Sequence, residues 1–348
     1  MTVIETTAAP PAAPATIRRV SMSDVAKLAG VSSQTVSRVS NGYAGVQDDT
    51  RRQVLDAMAH LGYRPNSAAR ALKSGRFHNI GVMMFTLSST GNMRTLEAVT
   101  AAALEQEYAI TLLPPVAAVD ASGSTRPSRR GEQAVDALIV VMEQHLMKLS
   151  DLALPPGVPV VVADSDVGSR FAVVDTDQAA GARSATEHLL ELGHRTVWHV
   201  TGPTESFSSS RRHAAWEQTL ADHGRARPPA LIGDWSAESG YEAGQQLAAE
   251  PGCTAVFVAN DHMALGVLRA LHDAGRRVPL DVSVVGFDDV PEASSFLPPL
   301  TTVHQDFAEL GRRCVQTALN QVRGLPAHPG TDLVPTWLVV RESTAPPA

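Results

Sequence analysis

Apolar residues recur at helical spacing in two short segments near the start of the chain. The first opens with Ser21 and Asp24, whose spacing is that of a capping box, and Ser32 is a favourable N-cap for the second. Val36 and Val39 form the apolar face of the second segment. Two short helices joined by a glycine-containing turn predict a helix-turn-helix. An amphipathic hairpin buried in a larger core would share this pattern.

A third helix and a short basic segment come next. The helix is predicted over residues 48–61, and its apolar face comprises Val54, Leu55, Met58 and Leu61. Pro65 prevents its continuation, and Asn66 is a favourable cap for a segment of about two turns, residues 66–74. That segment is too short to be stable alone in water. Its one large apolar residue, Leu72, either docks against the next domain or serves as a wedge for DNA.

From Asn79 the pattern changes to short β-rich runs that alternate with helices. The runs are NIGVMMF, YAITLL, VDALIVV, VPVVVA, RFAVV, TVWHVTG, TAVFVAN and DVSVVGF. Helices are predicted near 179–192, 209–223, 237–249, 263–274 and 307–322. Continuous Val/Ile runs between helices are typical of parallel sheets covered on both faces. Because about 270 residues exceed one ordinary core, we expect two Rossmann-like α/β subdomains with a cleft between them.

The net charge of residues 1–76 differs in sign from that of the rest of the chain. Residues 1–76 contain ten Lys and Arg and five Asp and Glu, which gives +5. The whole chain carries −7, so the remaining residues carry −12. A small basic module on a large acidic body indicates that only the module meets nucleic acid. A merely well-solvated basic surface is the alternative.

Other features restrict the class of protein. Residues 1–19 are rich in Ala, Pro and Thr and are predicted to be a disordered leader, without the charged and apolar regions of a signal peptide. No apolar run is long enough to span a bilayer, so a cytoplasmic protein is expected. The two cysteines are too few for a disulfide framework or a zinc site, and we predict no metal or other cofactor.

The predicted second helix carries side chains suited to reading a duplex. Ser33 and Gln34 lie in its first turn, where a Gln amide can pair bidentately with adenine. Arg38, one turn later, offers two parallel donors for guanine. Thr35, Ser37 and Asn41 carry short polar groups that suit phosphate oxygens, which fix register without reading sequence. The structural alternative for all of them is a solvated helix face.

Polar side chains follow several predicted strands, where ligands bind in parallel α/β folds. Asp164, Asn260 and Asp288 each end a buried run, and Ser208 and Arg212 lie in a loop after TVWHVTGP. Carboxylates accept pairs of vicinal hydroxyls, Arg and Asn donate to sugar oxygens, and Trp235 can stack on a pyranose. This set suits a neutral polyol better than a phosphate. Each residue singly could be a strand-end cap or a surface charge.

Enzymatic and transport functions have less support. The adjacent carboxylates Asp288 and Asp289 would point opposite ways on a strand, which disfavours a glycosidase pair. The sequence contains no G-x-S-x-G, H-E-x-x-H, G-x-G-x-x-G or P-loop motif. A sugar-transport binding protein would need a signal peptide and no helix-turn-helix, the reverse of what this sequence has.

Two sets of motifs resemble the LacI/GalR family of regulators. DVAKLAGVSSQTVSRVSNG and GYRPNSAARALKSGR look like its headpiece and hinge helix, and GDWSAESG, TAVFVANDHMALGVLRAL, DVSVVGFDD and LPPLTTVHQDFAELG look like its sugar-binding core. Within the family, the sequence is most similar to the lactose-repressor branch, and the resemblance covers roughly residues 20–343. Phe85 and Val141 depart from that branch, which has polar residues there.

The resemblance implies an all-α helix-turn-helix headpiece (20–65), a hinge helix and linker (66–78) and a periplasmic-binding-protein-like core (79–345). Its subdomains would comprise 79–176 with 304–330, and 177–303 with 331–345. The implied DNA contacts are Ser21, Met22, Ser32, Ser33, Gln34, Thr35, Ser37, Arg38, Asn41, Tyr63, Asn66, Ala69, Leu72 and Lys73. The implied effector contacts are Asp164, Ser208, Arg212, Trp235, Asn260, Asp288, Gln305 and Phe307.

The implied function is a homodimeric repressor of sugar-utilisation genes, released from a pseudo-palindromic operator by a small sugar. Residues 66–74 would become helical on DNA and insert Leu72 into the minor groove. A corepressor-dependent or an activating regulator of the same family is the alternative. The chain ends soon after its last predicted strand, so we expect no tetramer-forming tail and therefore a dimer.

Overall fold

The computed structural model describes residues 20–64, 75–87, 89–114, 134–142, 154–165, 171–326 and 330–348. The chain divides into two compact units, of which the first ends at Gly75 and the second begins at Arg76. The predictions for residues 1–19 and for Asn66, Ala69, Leu72 and Lys73 lie outside the described residues. We refer to the described part of the first unit as the headpiece and to the second unit as the core.

The headpiece contains three helices, α1 (Met22–Leu28), α2 (Ser33–Ser40) and α3 (Asp48–Leu61). The predicted capping box is present, since the Ser21 hydroxyl accepts from the Asp24 N–H and the Asp24 carboxylate accepts from the Ser21 N–H. The Ser32 hydroxyl accepts from the N–H of Thr35 at 3.1 Å and so caps α2. These local hydrogen bonds confirm the predicted start of both helices.

One small apolar cluster holds the three helices together. It comprises Val25, Ala26, Val36, Val39, Val54, Ala57 and Met58, all buried. The prediction for α3 was wrong at Leu55, which is 49% exposed. Leu55 is one residue from Val54, and a step of about 100° around a helix carries its side chain away from the core. Ala57 takes the buried position instead.

The described residues of the core form two six-stranded sheets. The strands of the first sheet are β1 (Asn79–Met84), β2 (Ala109–Leu113), β3 (Ala137–Val141), β4 (Val160–Ala163), β5 (Ala172–Thr176) and β11 (Thr331–Val334). Those of the second are β6 (Trp198–Thr201), β7 (Leu231–Ile232), β8 (Ala255–Val258), β9 (Ser283–Asp288), β10 (Thr301–Gln305) and β12 (Thr336–Val339). The first sheet has the order β11-β5-β4-β3-β1-β2 and is parallel throughout, and the second has the order β12-β10-β9-β8-β6-β7, in which β12 is antiparallel. The predicted architecture of two parallel-sheet subdomains is therefore present.

Helices cover these sheets. They are α4 (Thr90–Glu105), α5 (Gln178–Glu191), α6 (Phe207–Asp222), α7 (Ala237–Ala249), α8 (Asp261–Asp273) and α9 (Phe307–Val322), with a 3₁₀ helix at Pro291–Ser295. Helices α4 and α9 pack against the first sheet, and α5 to α8 pack against the second. Helix α4 was not predicted from the sequence, because its buried positions are mostly small or polar. The prediction of a loop at Ser208 and Arg212 was wrong, because both belong to α6, which Ser206 caps and Phe207 begins.

The chain recrosses between the sheets twice near its end. Strand β10 belongs to the second sheet as far as Gln305, and α9 then packs against the first. Strand β11 pairs with β5 in the first sheet, and β12 pairs with β10 in the second. The structure therefore differs from the expected subdomain ranges at 304–305 and at 331–334. The second difference arises because β11 forms a parallel ladder with β5.

Both cysteines are buried, Cys253 beside the second sheet and Cys314 on α9 beside the first. Burial raises the pKa of each thiol to about 12. Among the described residues, none of the helices combines the length and the hydropathy that crossing a bilayer requires.

Candidate functional site

The exposed side of α2 carries the predicted base-reading residues. The side chains of Ser33, Gln34 and Arg38 are exposed, whereas Val36 and Val39 face the core. A helix end with short and amide side chains in its first turn and an Arg one turn later fits the major groove of B-DNA. The structure therefore brings all three residues to one surface.

The other predicted DNA contacts of the headpiece lie in different environments. Thr35 shares a 2.9 Å hydroxyl–hydroxyl hydrogen bond with Ser32, and Asn41 Nδ2 donates to the Ser37 hydroxyl at 3.3 Å. Ser21 caps α1, and Met22 and Tyr63 are partly buried against the headpiece core.

All eight predicted effector residues line one cleft between the two sheets of the core. The cleft contains about 610 Å³ of space between atoms, a figure that includes its part open to solvent. They are Asp164, Ser208, Arg212, Trp235, Asn260, Asp288, Gln305 and Phe307. Strand ends and helix starts from both subdomains converge here, as expected for parallel α/β folds.

Arg212 is the central cation of the cleft and is only 4% exposed. Its Nε donates to Oε1 of Gln178 at 2.8 Å, and its Nη1 donates to the carbonyl oxygen of Ala259. Nη1 also lies 3.7 Å from Oδ1 of Asp288, and the guanidinium stacks 3.7 Å from the ring centroid of Phe287. These contacts fix the guanidinium before any ligand binds.

A hydrogen-bonded chain continues from this cation. Nε2 of Gln305 donates to Oδ1 of Asp288 at 2.6 Å, and Nε2 of Gln178 donates to Oε1 of Gln305 at 3.2 Å. Burial raises the pKa of Asp288, and the positive charge of Arg212 opposes that rise. The cleft therefore presents a carboxyl, an amide and a guanidinium in a fixed arrangement that can bind hydroxyl groups.

Asn260 and Trp235 form another wall of the cleft. Oδ1 of Asn260 accepts from the N–H of Met263 and caps α8, while its Nδ2 donates to the carbonyl oxygen of Trp235 at 3.1 Å. The indole packs closely on Gly202, where a Cβ would lie 2.4 Å from the ring. Trp235 is thus held as a flat apolar surface.

Three residues of the cleft have left-handed backbone conformations that favour glycine. The φ angles are 52° at Asp164, 75° at Trp235 and 110° at Asp288. Such conformations cost about 1–3 kcal/mol each and concentrate at binding and catalytic sites. Their coincidence here supports a functional cleft.

Two arginines outside the predicted set connect the subdomains beside the cleft. Arg94 of α4 donates to the carbonyl oxygen of Asp288 at 2.9 Å and lies 4.5 Å from the ring centroid of Phe307. Arg211 of α6 pairs with the carboxylate of Asp175 in β5 and donates to the carbonyl oxygen of Ser165 at 2.9 Å. Each arginine therefore holds a strand end of the other subdomain.

Much of the first-subdomain side of the cleft was not predicted from the sequence. The additional lining residues are Ser89, Thr90, Gly91, Asn92, Thr95, Asp175 and Thr176 on that side, with Gln178 of α5 on the other. The first five surround the start of α4, the helix that was not predicted. Asp175 directly follows the predicted run RFAVV, so the rule that identified Asp164 and Asp288 would have found it.

Val141, which departs from the resembled branch, lies in the same wall of the cleft. It ends β3 and is buried together with the neighbouring strand residue Ala163. This part of the wall is therefore apolar, in contrast to the polar side formed by the second subdomain.

Comparisons with known proteins find a family match in each of the two units. Residues 21–66 match the family described as "Bacterial regulatory proteins, lacI family", and residues 186–344 match the "Periplasmic binding protein-like domain". The chain is 35% identical over 341 residues to the lactose operon repressor of Escherichia coli, covering 95% of this chain and 92% of that protein. It is 33% identical over 339 residues to the regulator CelR of Thermobifida fusca, covering 94% and 98%. It is 31% identical over 328 residues to the repressor PurR of Haemophilus influenzae, covering 92% and 97%.

Solved structures show the same relationship. The Lac repressor bound to ONPG in its repressed state has a TM-score of 0.81 at 34% identity, covering 94% of this chain and 100% of that one. The CelR–cellobiose complex has a TM-score of 0.67 at 30% identity, covering 93% and 100%. With such identity over nearly the whole length, the chain belongs to the LacI family of bacterial transcriptional regulators.

Proposed function

We propose that this protein is a sugar-responsive transcriptional repressor that binds a pseudo-palindromic operator as a homodimer. The observation that carries the proposal is the convergence of all eight predicted effector residues on one cleft. In this proposal α2 enters the major groove, where Gln34 and Arg38 read base edges and Ser33 contributes a hydroxyl. The protein acts in the cytoplasm and is associated with the nucleoid when bound to its operator.

The chemistry of the cleft favours a small sugar as effector. Asp288 and Asn260 offer a carboxyl and an amide for ring hydroxyls, and Arg212 donates to sugar oxygens. Trp235 supplies the flat apolar surface on which a pyranose ring stacks. Among the solved relatives, the Lac repressor is bound to ONPG and the regulator CelR is in complex with cellobiose.

The second candidate is corepression, in which the effector strengthens operator binding. PurR relatives at 30–31% identity make this a reasonable alternative within the family. The two candidates predict opposite signs for the effect of the small molecule on DNA binding, because a ligand favours the conformation to which it binds more tightly.

A thermal-shift screen of mono- and disaccharides, combined with measurement of operator release, tests the proposal. The operator is obtained by selection of the full-length protein on a random DNA pool. We expect one or a few sugars to raise the melting temperature and to weaken operator binding, since a ligand that binds only the folded state stabilises it. Arg212→Met should abolish the shift, and the exposed Arg225→Met serves as the matched control.

Two results would contradict the proposal. If no symmetric sequence is enriched from the pool, the protein is not an operator-binding dimer. If the sugar that stabilises the protein strengthens rather than weakens operator binding, the protein is a corepressor-dependent regulator.

A further inference from the structure

Tyr43 is an exposed aromatic residue in the turn that follows α2. Its side chain is 56% exposed, in a headpiece whose other described aromatic residue, Tyr63, is partly buried. The guanidinium carbon of Arg38 lies 5.6 Å from the centroid of the Tyr43 ring. This distance is within the range of a cation–π interaction, which attracts the guanidinium to the ring. Tyr43 therefore contacts the one cation that α2 presents.

Three contacts hold Tyr43 in this place. Its N–H donates to the carbonyl oxygen of Arg38 at 2.9 Å, and its carbonyl oxygen accepts from Nη2 of Arg51 at 2.6 Å. The ring lies against Gly45, where a Cβ would be only 2.5 Å from Cε1 of Tyr43. The backbone of the turn is thus tied to both α2 and α3, and the ring has a defined position although it is exposed.

A free arginine side chain populates many rotamers, and binding in one geometry removes that freedom. Bidentate recognition of guanine needs the planar guanidinium in one orientation, so an aromatic support beside it reduces the freedom lost on binding. We propose that Tyr43 is a positioning residue for Arg38 and thereby sharpens base preference. This inference rests on the proposed function, in which Arg38 reads a base.

The hydroxyl of Tyr43 provides the competing explanation. An exposed phenol beside a recognition helix can also donate to a DNA phosphate, and such a contact would strengthen binding without reading sequence. The two roles require different parts of the side chain, because positioning uses the ring and phosphate binding uses the hydroxyl. Replacing Tyr43 with Phe or Leu separates them.

The test compares full-length variants on the operator selected by the wild-type protein and on versions with each base pair changed. We expect Tyr43→Phe to keep the wild-type preference, since the ring remains. Tyr43→Leu should reduce the preference at the position that Arg38 reads by about two- to five-fold, the size expected of an exposed cation–π contact. The dependence of affinity on salt should stay unchanged, because no phosphate contact is lost.

Gly45→Ala supplies an independent variant that leaves Tyr43 intact. The added methyl group would displace the ring, so we expect the same reduced preference as with Tyr43→Leu. In an Arg38→Met background, which lacks the cation, Tyr43→Leu should have no further effect on base preference. Leu55→Ala is the matched control, since Leu55 is also an exposed apolar residue of the headpiece. Circular dichroism and thermal unfolding establish that each variant is folded.

Three outcomes would overturn the inference while leaving the proposed function intact. They are an equal effect of Tyr43→Phe and Tyr43→Leu, a uniform loss of affinity at all positions, and no change at any position. Failure of the wild-type protein to select any symmetric sequence would instead contradict the proposed function, and the inference with it.

Discussion

The two sides of the cleft are built in different ways. On the second-subdomain side, Arg212, Asp288 and Asn260 have long polar side chains that are bonded to one another or to nearby backbone. On the first-subdomain side, the lining comes from the start of α4, from the apolar ends of β3 and β4 and from the carboxylates of Asp164 and Asp175. The second side therefore supplies a fixed polar frame around Arg212, while the first side supplies a short polar loop, an apolar wall and two carboxylates near Arg211.

This difference indicates a division of roles. A rigid polar frame can hold hydroxyl groups that many sugars share, and so it determines the chemical class of the ligand. Small side chains and backbone groups at a helix start restrict the shape of whatever extends beyond that frame. We therefore expect changes on the second side to remove the response to a sugar and changes on the first side to alter its strength.

The largest effect is expected for Arg212→Met. The substitution leaves the buried carboxyl of Asp288 without its cation, and breaking a buried ion pair in this way costs about 3–5 kcal/mol. Urea denaturation should show this fall in the free energy of unfolding, with the thermal response to sugar lost as well. An intact sugar response in the variant would show that the second side is not the fixed frame we describe.

A smaller effect is expected at the pair formed by Arg211 and Asp175, which connects the second subdomain to the first. Arg211→Leu should destabilise the protein more than Asp175→Leu, because the Asp175 side chain is 3% exposed and that of Arg211 is 27% exposed. The Arg211 cation can reach water when its partner is lost, whereas the Asp175 carboxyl cannot.

The double variant Arg211→Leu/Asp175→Leu measures how strongly the two residues are coupled. We expect a coupling free energy of about 1–3 kcal/mol from a double-mutant cycle in urea. Additive effects of the two substitutions would mean that the pair does not connect the subdomains energetically.

The last effect is a change of stability with pH and concerns Asp261, a buried carboxyl that the charge of Asp288 influences. Its carboxylate accepts from the Thr302 hydroxyl at 2.6 Å and from the Val290 N–H at 2.9 Å. Burial, reinforced by the nearby charge of Asp288, raises the pKa of Asp261 from 3.8 to about 8. The folded protein therefore keeps a proton on Asp261 that the unfolded chain releases between these two values.

This retained proton makes stability depend on pH with a definite sign. The contribution is fully present below pH 3.8 and is lost as pH rises through about 8, at up to about 1.4 kcal/mol per pH unit. Asp261→Asn should remove this part of the pH dependence of urea unfolding, and the exposed Asp273→Asn should leave it unchanged. Parallel profiles for wild type and Asp261→Asn would refute a raised pKa at this carboxyl.

The difference between the two sides of the cleft also explains which parts of the site could be predicted from the sequence. Asp164, Asn260 and Asp288 directly follow Val-rich strands, so the strand pattern located them at the edge where ligands bind. The start of α4 could not be found in this way, because the buried face of that helix consists of Asn92, Thr95, Val99, Ala102 and Ala103. Small and polar residues give a weak helical pattern.

The fold was predictable for a related reason. Capping residues and apolar spacing are local signals, and Ser21, Ser32 and the valines of α2 all behaved as predicted. The pairing of β11 with the first sheet and of β12 with the second is long-range. The sequence of β11 (TDLV) does not indicate which sheet the strand joins. Arg94 and Arg211 depend on the same tertiary arrangement, so their partners were visible only in the structure.

The two cysteines have a practical consequence for following motion in this molecule. Each subdomain contains one thiol, and burial keeps both protonated and inaccessible. Because maleimide dyes react with exposed thiolates, a surface cysteine introduced into either subdomain should be the one that is labelled. A donor and an acceptor fluorophore can therefore report the opening of the cleft without removal of the native residues.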